Sequence, residues 1–267
     1  MIQSIEVNSL SDAIDLFFED SYDLKIGRYR SNYVFRGMHN VSYSLEPSFV
    51  RNCREQWQLE QNILRNFSKY AEMESPSMVK SVWRQMVLGQ HYGLPTRLLD
   101  WTFSPLVALH FATEHSVLKH LDEVDGVVWQ VHVDDVHEQL PKSYKDKLKE
   151  EWAYVFTVDM LDDITSNLEQ YDKDMEGSSF VFLEPPSIDG RIINQYSLFS
   201  VVPSYPFPLD KYLSDSDIRA TRYVIDKDIK WEIRDKLDQS NITERILFPG
   251  LQGLATWLKR HYYVRES

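Results

Sequence analysis

The stretch GLPTRLLDWTFSPLVALHFAT, residues 93–113, sets one arginine and one aspartate among leucines and a tryptophan. TRLLDWT (96–102) reads as a buried strand. The residues after it read as a helix, with Ser104 as N-cap and Pro105 at the first helical position, where a missing N–H costs nothing. That helix is apolar almost all round, which marks it as buried. Strand alternation places Thr96, Leu98, Asp100 and Thr102 on one face and Arg97, Leu99 and Trp101 on the other. Each charge therefore needs its own partner, because an unpaired buried charge is very costly. One reading makes the two charges structural ion pairs or loop anchors. The other places them at a pocket rim, where the strand meets a helix N-terminus whose free N–H groups suit a phosphate or carboxylate.

Outward from this stretch, SLSDAIDLFFED (9–20) has the pattern of an opening helix. NYVFRG (32–37) is a short β-rich run closed by glycine, with Arg36 near its end. Helical spacing covers 55–73 and about 78–90, the second ending at GQHYGLP. DGVVWQVHV (125–133) is a clear strand, and the charged run 141–151 suits a solvated helix. WAYVFTV (152–158), SSFVFLEPP (178–186), INQYSLFSVVP (193–203) and RYVID (222–226) are strand-like. ITERILFPGLQGLATWLKRHYY (242–263) carries a helical stripe. The pattern is that of one α+β domain over residues 1–267, helix-rich in its first half and strand-rich in its second.

Composition narrows the function. Of 267 residues, 43% are hydrophobic and 26% charged, as in a globular protein able to bury a core without staples. The net charge of −12 argues against nonspecific nucleic-acid binding, which needs clustered cations. The single cysteine, Cys53, forms neither an internal disulfide nor a Cys-rich zinc site. No signal-peptide pattern and no membrane-length apolar run is present, so a cytoplasmic protein without membrane partners is expected. With 9 glycines and no Gly-rich phosphate motif, Rossmann and P-loop readings fall away. His39, His91 and His110 lack metal-ligand spacing, His132 and Asp134 are too thin a pair, and no metal is expected. Ser48 and Ser104 lack a nucleophile-elbow context.

Four blocks, YVFRGMHN (33–40), QHYGLPTRLLDWTFSPLVALHFA (90–112), RIINQYSLF (191–199) and ITERILFPGLQGLATWLK (242–259), together resemble the bacterial FRG-domain family. The family is named for a Phe-Arg-Gly triplet, here Phe35-Arg36-Gly37, and the blocks run from about residue 32 to 260. Ser197 stands where the family pattern has glycine, and Gly250 and Gln252 where it has acidic residues. The resemblance implies a setting of bacterial toxin or anti-phage defence.

A more distant resemblance is to ADP-ribosyltransferases. These carry an Arg or His on an early strand, then a Ser/Thr strand, a Pro-x-x-Ala-x-x-Phe-Ala helix, and a glutamate on a late strand of a split sheet. Arg36, the 98–102 run, and Pro105, Ala108, Phe111 and Ala112 fit that order. The resemblance implies NAD as substrate and a nucleotide or protein acceptor as partner. Cleaving the nicotinamide–ribose bond passes through an oxocarbenium-like state. It calls for a cation at the pyrophosphate, an aromatic face for nicotinamide and a carboxylate or amide at the ribose. Arg36, Arg97, Asp100 and Gln195 are the expected catalytic residues, with Glu184 and Glu244 as other late carboxylates. Gly37, His91, Tyr92, Thr96, Trp101 and Thr102 are the expected binding residues. Two other readings stand beside this one: a non-enzymatic module that senses a nucleotide or phage protein, and a nuclease-like effector, which the acidic charge disfavours.

Overall fold

All seven residues of Gly126–His132 are buried, as a strand covered on both faces must be. In the computed structural model, which describes residues 2–54, 56–71, 81–176, 179–204 and 207–265, this run lies inside an eight-stranded mixed sheet. Its strands are β1 (Gln3–Val7), β4 (Tyr33–Met38), β5 (Leu98–Thr102), β6 (Gly126–His132), β7 (Phe156–Thr157), β8 (Val181–Glu184), β9 (Ser197–Val201) and β10 (Ala220–Ile225). They are ordered β1-β10-β6-β4-β5-β9-β8-β7, while β2 (Tyr22–Asp23) and β3 (Arg28–Tyr29) form a separate hairpin. The pairs β1–β10 and β7–β8 are parallel; the other pairs are antiparallel.

The pairing is uneven at the centre. β4 pairs with β6 along its whole length, and β5 does the same with β9. Between β4 and β5, however, the register holds one pair, Phe35 with Thr102. The sheet is thus two halves joined at one point, and it opens past that point.

Helices cover both faces. α1 (Leu10–Phe18), α5 (Pro105–Thr113) and α12 (Lys230–Gln239) pack on β4 and β6 through Phe17, Phe35, Ala108, Leu109, Val128 and Ile233. α2 (Ser48–Cys53) precedes α3 (Gln58–Ala71) and α4 (Val82–His91). With α7 (Lys142–Glu150), α8 (Val158–Ile164) and α9 (Leu168–Met175), the last two enclose a core around Trp83, Phe156, Tyr171 and Phe199. A third core holds Val34, Trp101, Trp129 and Phe182 against α6 (Val133–Glu138) and α11 (Leu209–Asp215). α10 (Gly190–Gln195) packs on β9 and on α13 (Glu244–Leu247), which in turn packs on α14 (Leu251–His261).

Helix α5 lies unusually near the sheet. A Cβ on Gly37 would stand 1.7 Å from the Ala108 carbonyl oxygen, and one on Gly126 would stand 2.2 Å from that of Ala112. Glycine on two neighbouring strands is therefore a packing requirement, and the glycine of the Phe-Arg-Gly triplet is one of them.

The chain is a mixed α+β fold, as the sequence pattern indicates. Its segregation by half is not observed, because β1 to β6 all precede residue 133 and helices continue to Leu251–His261. Local hydrophobicity gave WAYVFTV and INQYSLFSVVP as strands throughout. Only Phe156–Thr157 and Ser197–Val201 are extended, and Gln195 ends a helix. Residues 55, 72–73, 78–80 and 178 of the expected elements lie outside the described residues. Among the described residues, no helix is long and apolar enough to cross a membrane.

Candidate functional site

Where β4 and β5 part, the opening forms a cavity of about 210 Å³. β4 contributes Phe35, Arg36 and Gly37, and β5 contributes Asp100, Trp101 and Thr102. Phe111 and Glu114 enter from the C-terminal end of α5; Arg191 and Gln195 come from α10, and Ser197 from the start of β9.

Arg36 spans the opening. Its Nη1 donates to the Asp100 carbonyl oxygen at 2.5 Å and lies 3.9 Å from the Asp100 carboxylate. Its Nε is buried and has no hydrogen-bond partner among the described residues. Burial lowers the Arg36 pKa from its ordinary value, and the neighbouring Asp100 opposes that shift; the group remains a cation at any physiological pH. The Asp100 side chain is 58% exposed and accepts a hydrogen bond from Gln90 Nε2 at 3.0 Å. Gln90 in turn accepts from the Thr96 hydroxyl at 2.7 Å. One glutamine at the end of α4 thus fixes the carboxylate of the β5 rim.

Gln195 is positioned by the short helix it ends. Asp189 caps that helix, with Oδ1 accepting from the amides of Arg191 and Ile192 and Oδ2 2.6 Å from His91 Nε2. Tyr196, in the left-handed region at φ 50°, turns the chain into β9. The Gln195 Nε2 donates to the Leu247 carbonyl at 2.9 Å, which leaves its amide oxygen as the group for a ligand.

The remaining expected site residues divide. Thr102 lines the cavity, but its hydroxyl donates to the Gln195 carbonyl at 2.7 Å and accepts from the Ser104 amide at 3.0 Å. It joins the two rims and has little left for a ligand. Trp101 borders the cavity, but its indole points into the core: Nε1 donates to Ser200 Oγ at 3.0 Å and the ring meets Phe182 edge-on at 5.6 Å. The indole is therefore no aromatic face for a ligand, and neither is the ring of Phe35, fully buried against Phe17; the half-buried Phe111 lines the cavity instead.

Arg97 is not a cavity residue. Its Nε lies 3.0 Å from both Glu60 carboxylate oxygens and its Nη1 2.5 Å from Asp172, with its side chain 3% exposed. Burial opposes its charge, but Glu60 and Asp172 outweigh that and raise its pKa. The recognition edge expected of it is corrected to a structural ionic triad, because two carboxylates already occupy its fork. Thr96 is fully buried, spent on Gln90 and on the Leu98 amide. His91 pairs with Asp189, while Tyr92 is exposed and packs edge-on to His91. Neither lines the cavity. The N-terminus of α5 does not face it either, since the lining residues come from the other end of that helix.

Of the other late carboxylates, Glu184 ends β8 exposed. Glu244 is gripped by Arg234 and by Arg260, whose Nε is 2.8 Å away. Burial pushes its pKa up, but the arginines prevail and hold it down at about 2. Among the described residues, no group of three or more His, Cys, Asp or Glu side chains has an arrangement that could hold a metal ion.

Two charged cavity residues escaped the sequence reading. Glu114 follows α5 directly, and its pKa is pushed up to about 7, chiefly by burial, with Arg234 opposing. Its side chain keeps 40% of its surface open, so the carboxyl is recessed yet reachable. The negative end of the α5 dipole acts in the same sense as burial. Arg191 lies over the Phe248 ring at 5.1 Å. The available signal was HFATEH, a carboxylate set against the end of an apolar helix.

Compared with known families, residues 31–120 match the FRG domain. The chain carries an FRG domain whose matched span includes β4, β5 and α5, with Arg36, Asp100 and Glu114; Arg191 and Gln195 lie beyond it. No curated protein and no solved structure matches the chain.

Proposed function

We propose that the cavity between β4 and β5 binds a nucleotide, and that the protein is an NAD-directed, ADP-ribosyltransferase-like effector acting in bacterial toxin or anti-phage defence. The observation that carries this reading is the convergence of Arg36, Asp100 and Gln195, from three separate blocks of sequence, where the sheet opens. The resemblance to ADP-ribosyltransferases expects an early-strand cation, a split sheet and a late polar residue at one place. Arg36 then faces the pyrophosphate, Phe111 the nicotinamide ring, and the Gln195 amide oxygen the ribose hydroxyls. The cavity is below the roughly 300–1,000 Å³ usual for ligand sites. It takes the nicotinamide–ribose end, with the adenosine lying over the open rim at Asp100.

The test is incubation of the purified protein with NAD labelled in nicotinamide. Release of nicotinamide is the expected result, with Arg36→Ala and Gln195→Ala reducing it by about 100-fold, as for loss of one electrostatic contact at a transition state. A protein that neither binds nor cleaves NAD refutes the reading. One observation favours a second reading, a non-enzymatic sensor of a nucleotide or phage protein: Gln195 occupies the late position, and an amide is neither an effective acid nor an effective base near neutral pH. Reversible NAD binding without nicotinamide release selects the sensor.

A further inference from the structure

We infer that Glu114 is the proton-accepting catalytic residue of this cavity, taking the proton of the attacking acceptor hydroxyl or water as nicotinamide leaves. This rests on the NAD reading above and assigns a role that no block of the sequence resemblance contains. Among the described residues, two carboxylates line the cavity, Asp100 and Glu114. Asp100 is committed, accepting from Gln90 and standing beside Arg36. Glu114 receives no hydrogen bond from any described residue. His110 Nε2 stands 3.9 Å from its Oε2, beyond hydrogen-bonding reach. The Gln195 amide is neither an acid nor a base near neutral pH, so among the described residues Glu114 is the uncommitted acid–base group at the site.

Its surroundings fit the role. Glu114 faces His110 of its own helix, Arg191 of α10, Arg234 of α12 and Glu244 of α13, with Arg36 and Asp100 across the cavity. Burial holds the His110 pKa well below its ordinary value, so that ring stays neutral and does not fix the carboxylate. Arg234 is taken up by Glu244 and by the His110 carbonyl. A carboxyl with a pKa of about 7 is poised for proton transfer near neutrality. The close seating of α5 on Gly37 and Gly126 gives the group a rigid base.

The step balances. The C1′–N bond breaks and its electron pair leaves on neutral nicotinamide. A lone pair of the acceptor oxygen forms the new bond to C1′, and the acceptor proton passes to the Glu114 carboxylate and then to water.

The experiment measures NAD turnover and KM from about pH 5.5 to about pH 9 for the wild type, Glu114→Gln and Glu114→Asp, with melting temperatures as a folding control. Infrared difference spectra of wild type against Glu114→Gln follow the carboxyl itself. Expected are a wild-type rate that climbs through a single titration near neutrality, and a Glu114→Gln rate at least about 100-fold lower at the alkaline end with KM little changed. Glu114→Asp should restore part of the rate. A Glu114→Gln variant with wild-type turnover and pH profile overturns the role of Glu114 and leaves the NAD reading standing. So does a carboxyl band already fully ionised at the acid end. A wild-type protein that binds NAD without cleaving it overturns the role and favours the sensor; one that does not bind NAD overturns both readings.

Discussion

The Arg36 guanidinium donates to the backbone carbonyl of Asp100 at 2.5 Å, across the gap where β4 and β5 cease to pair. A side chain here stands in for a ladder hydrogen bond, so the opening is held at a set width. Arg36→Ala leaves that carbonyl without its partner and removes the cavity's cation. We expect a loss of about 1–3 kcal/mol in stability, read by urea unfolding, together with a loss of NAD binding read by calorimetry. Arg36→Lys should regain some stability and little of the binding, because an ammonium lacks the planar fork. Undiminished NAD affinity in Arg36→Ala would remove Arg36 from the site.

Arg97 should behave in the opposite way. Its triad with Glu60 and Asp172 is buried, and removal of one partner of such a group costs about 3–5 kcal/mol. Arg97→Lys keeps the charge but cannot bridge both carboxylates as the fork does, so it should be clearly destabilised as well. Whatever fraction of Arg97→Lys remains folded should bind at the cavity as the wild type does. A stable variant with impaired binding would return Arg97 to the site.

Two glutamates contribute opposite slopes to the dependence of stability on pH. The Glu244 pKa is depressed from 4.5 to about 2, so its contribution is present above pH 4.5 and is lost as pH falls toward 2. The Glu114 pKa is raised from 4.5 to about 7, so the folded form holds more protons across that window and stability declines as pH rises through it. Burial lowers the pKa of His110 and His137, which pushes stability the other way over part of this range, so the difference carries the test: the wild-type urea midpoint relative to that of Glu114→Gln should fall between about pH 5 and about pH 8. Glu244→Gln should lose stability mainly above about pH 4.5 and little near pH 2. Parallel curves for wild type and Glu114→Gln would show that burial does not perturb the Glu114 carboxyl.

Gly37→Ala tests the packing of α5. The added methyl would meet a carbonyl oxygen of the helix backbone at 1.7 Å, so strand or helix must shift. Overpacking of this kind costs about 1–3 kcal/mol or more. A drop in melting temperature with loss of NAD binding is expected, since Glu114 rides on that helix. An unperturbed melting curve would mean that α5 is free to move off the sheet.

The sequence made the long, uniformly apolar elements legible. The 126–132 strand and the Ser104-capped helix stand close to where periodicity and capping put them. Arg36 and Asp100 were legible as site candidates because charge within a strand of core residues demands a partner. Arg97 drew the same inference, but its partners Glu60 and Asp172 sit on helices far along the chain, which no local pattern reveals. Trp101 and Tyr92 were given ligand roles for their ring chemistry, although strand alternation already set Trp101 on the face opposite Asp100. β1 was missed because its residues are mostly exposed and it pairs only with β10. Glu114 and Arg191 were missed for a different reason: a carboxylate after a helix and an arginine at a helix start look like ordinary solvated charges until the tertiary fold encloses them.

The seam in the sheet also bears on what can exist as an independent piece. Within residues 31–120, β4 and β5 touch at one residue pair, and their full-length neighbours are β6 and β9, both outside that span. Cut out alone, the recognisable segment would hold two strands with bare flanks and almost no ladder between them, too little sheet to stand by itself. A ribosome must therefore deliver the chain through residue 201 before the second strand gains its partner, and through residue 225 before β1 gains its own. Pairings so distant in sequence fold slowly. The recognisable signature and the unit that acquires structure are thus different lengths of the same polypeptide, and shuffling of the shorter one between genes would have to carry the longer one with it.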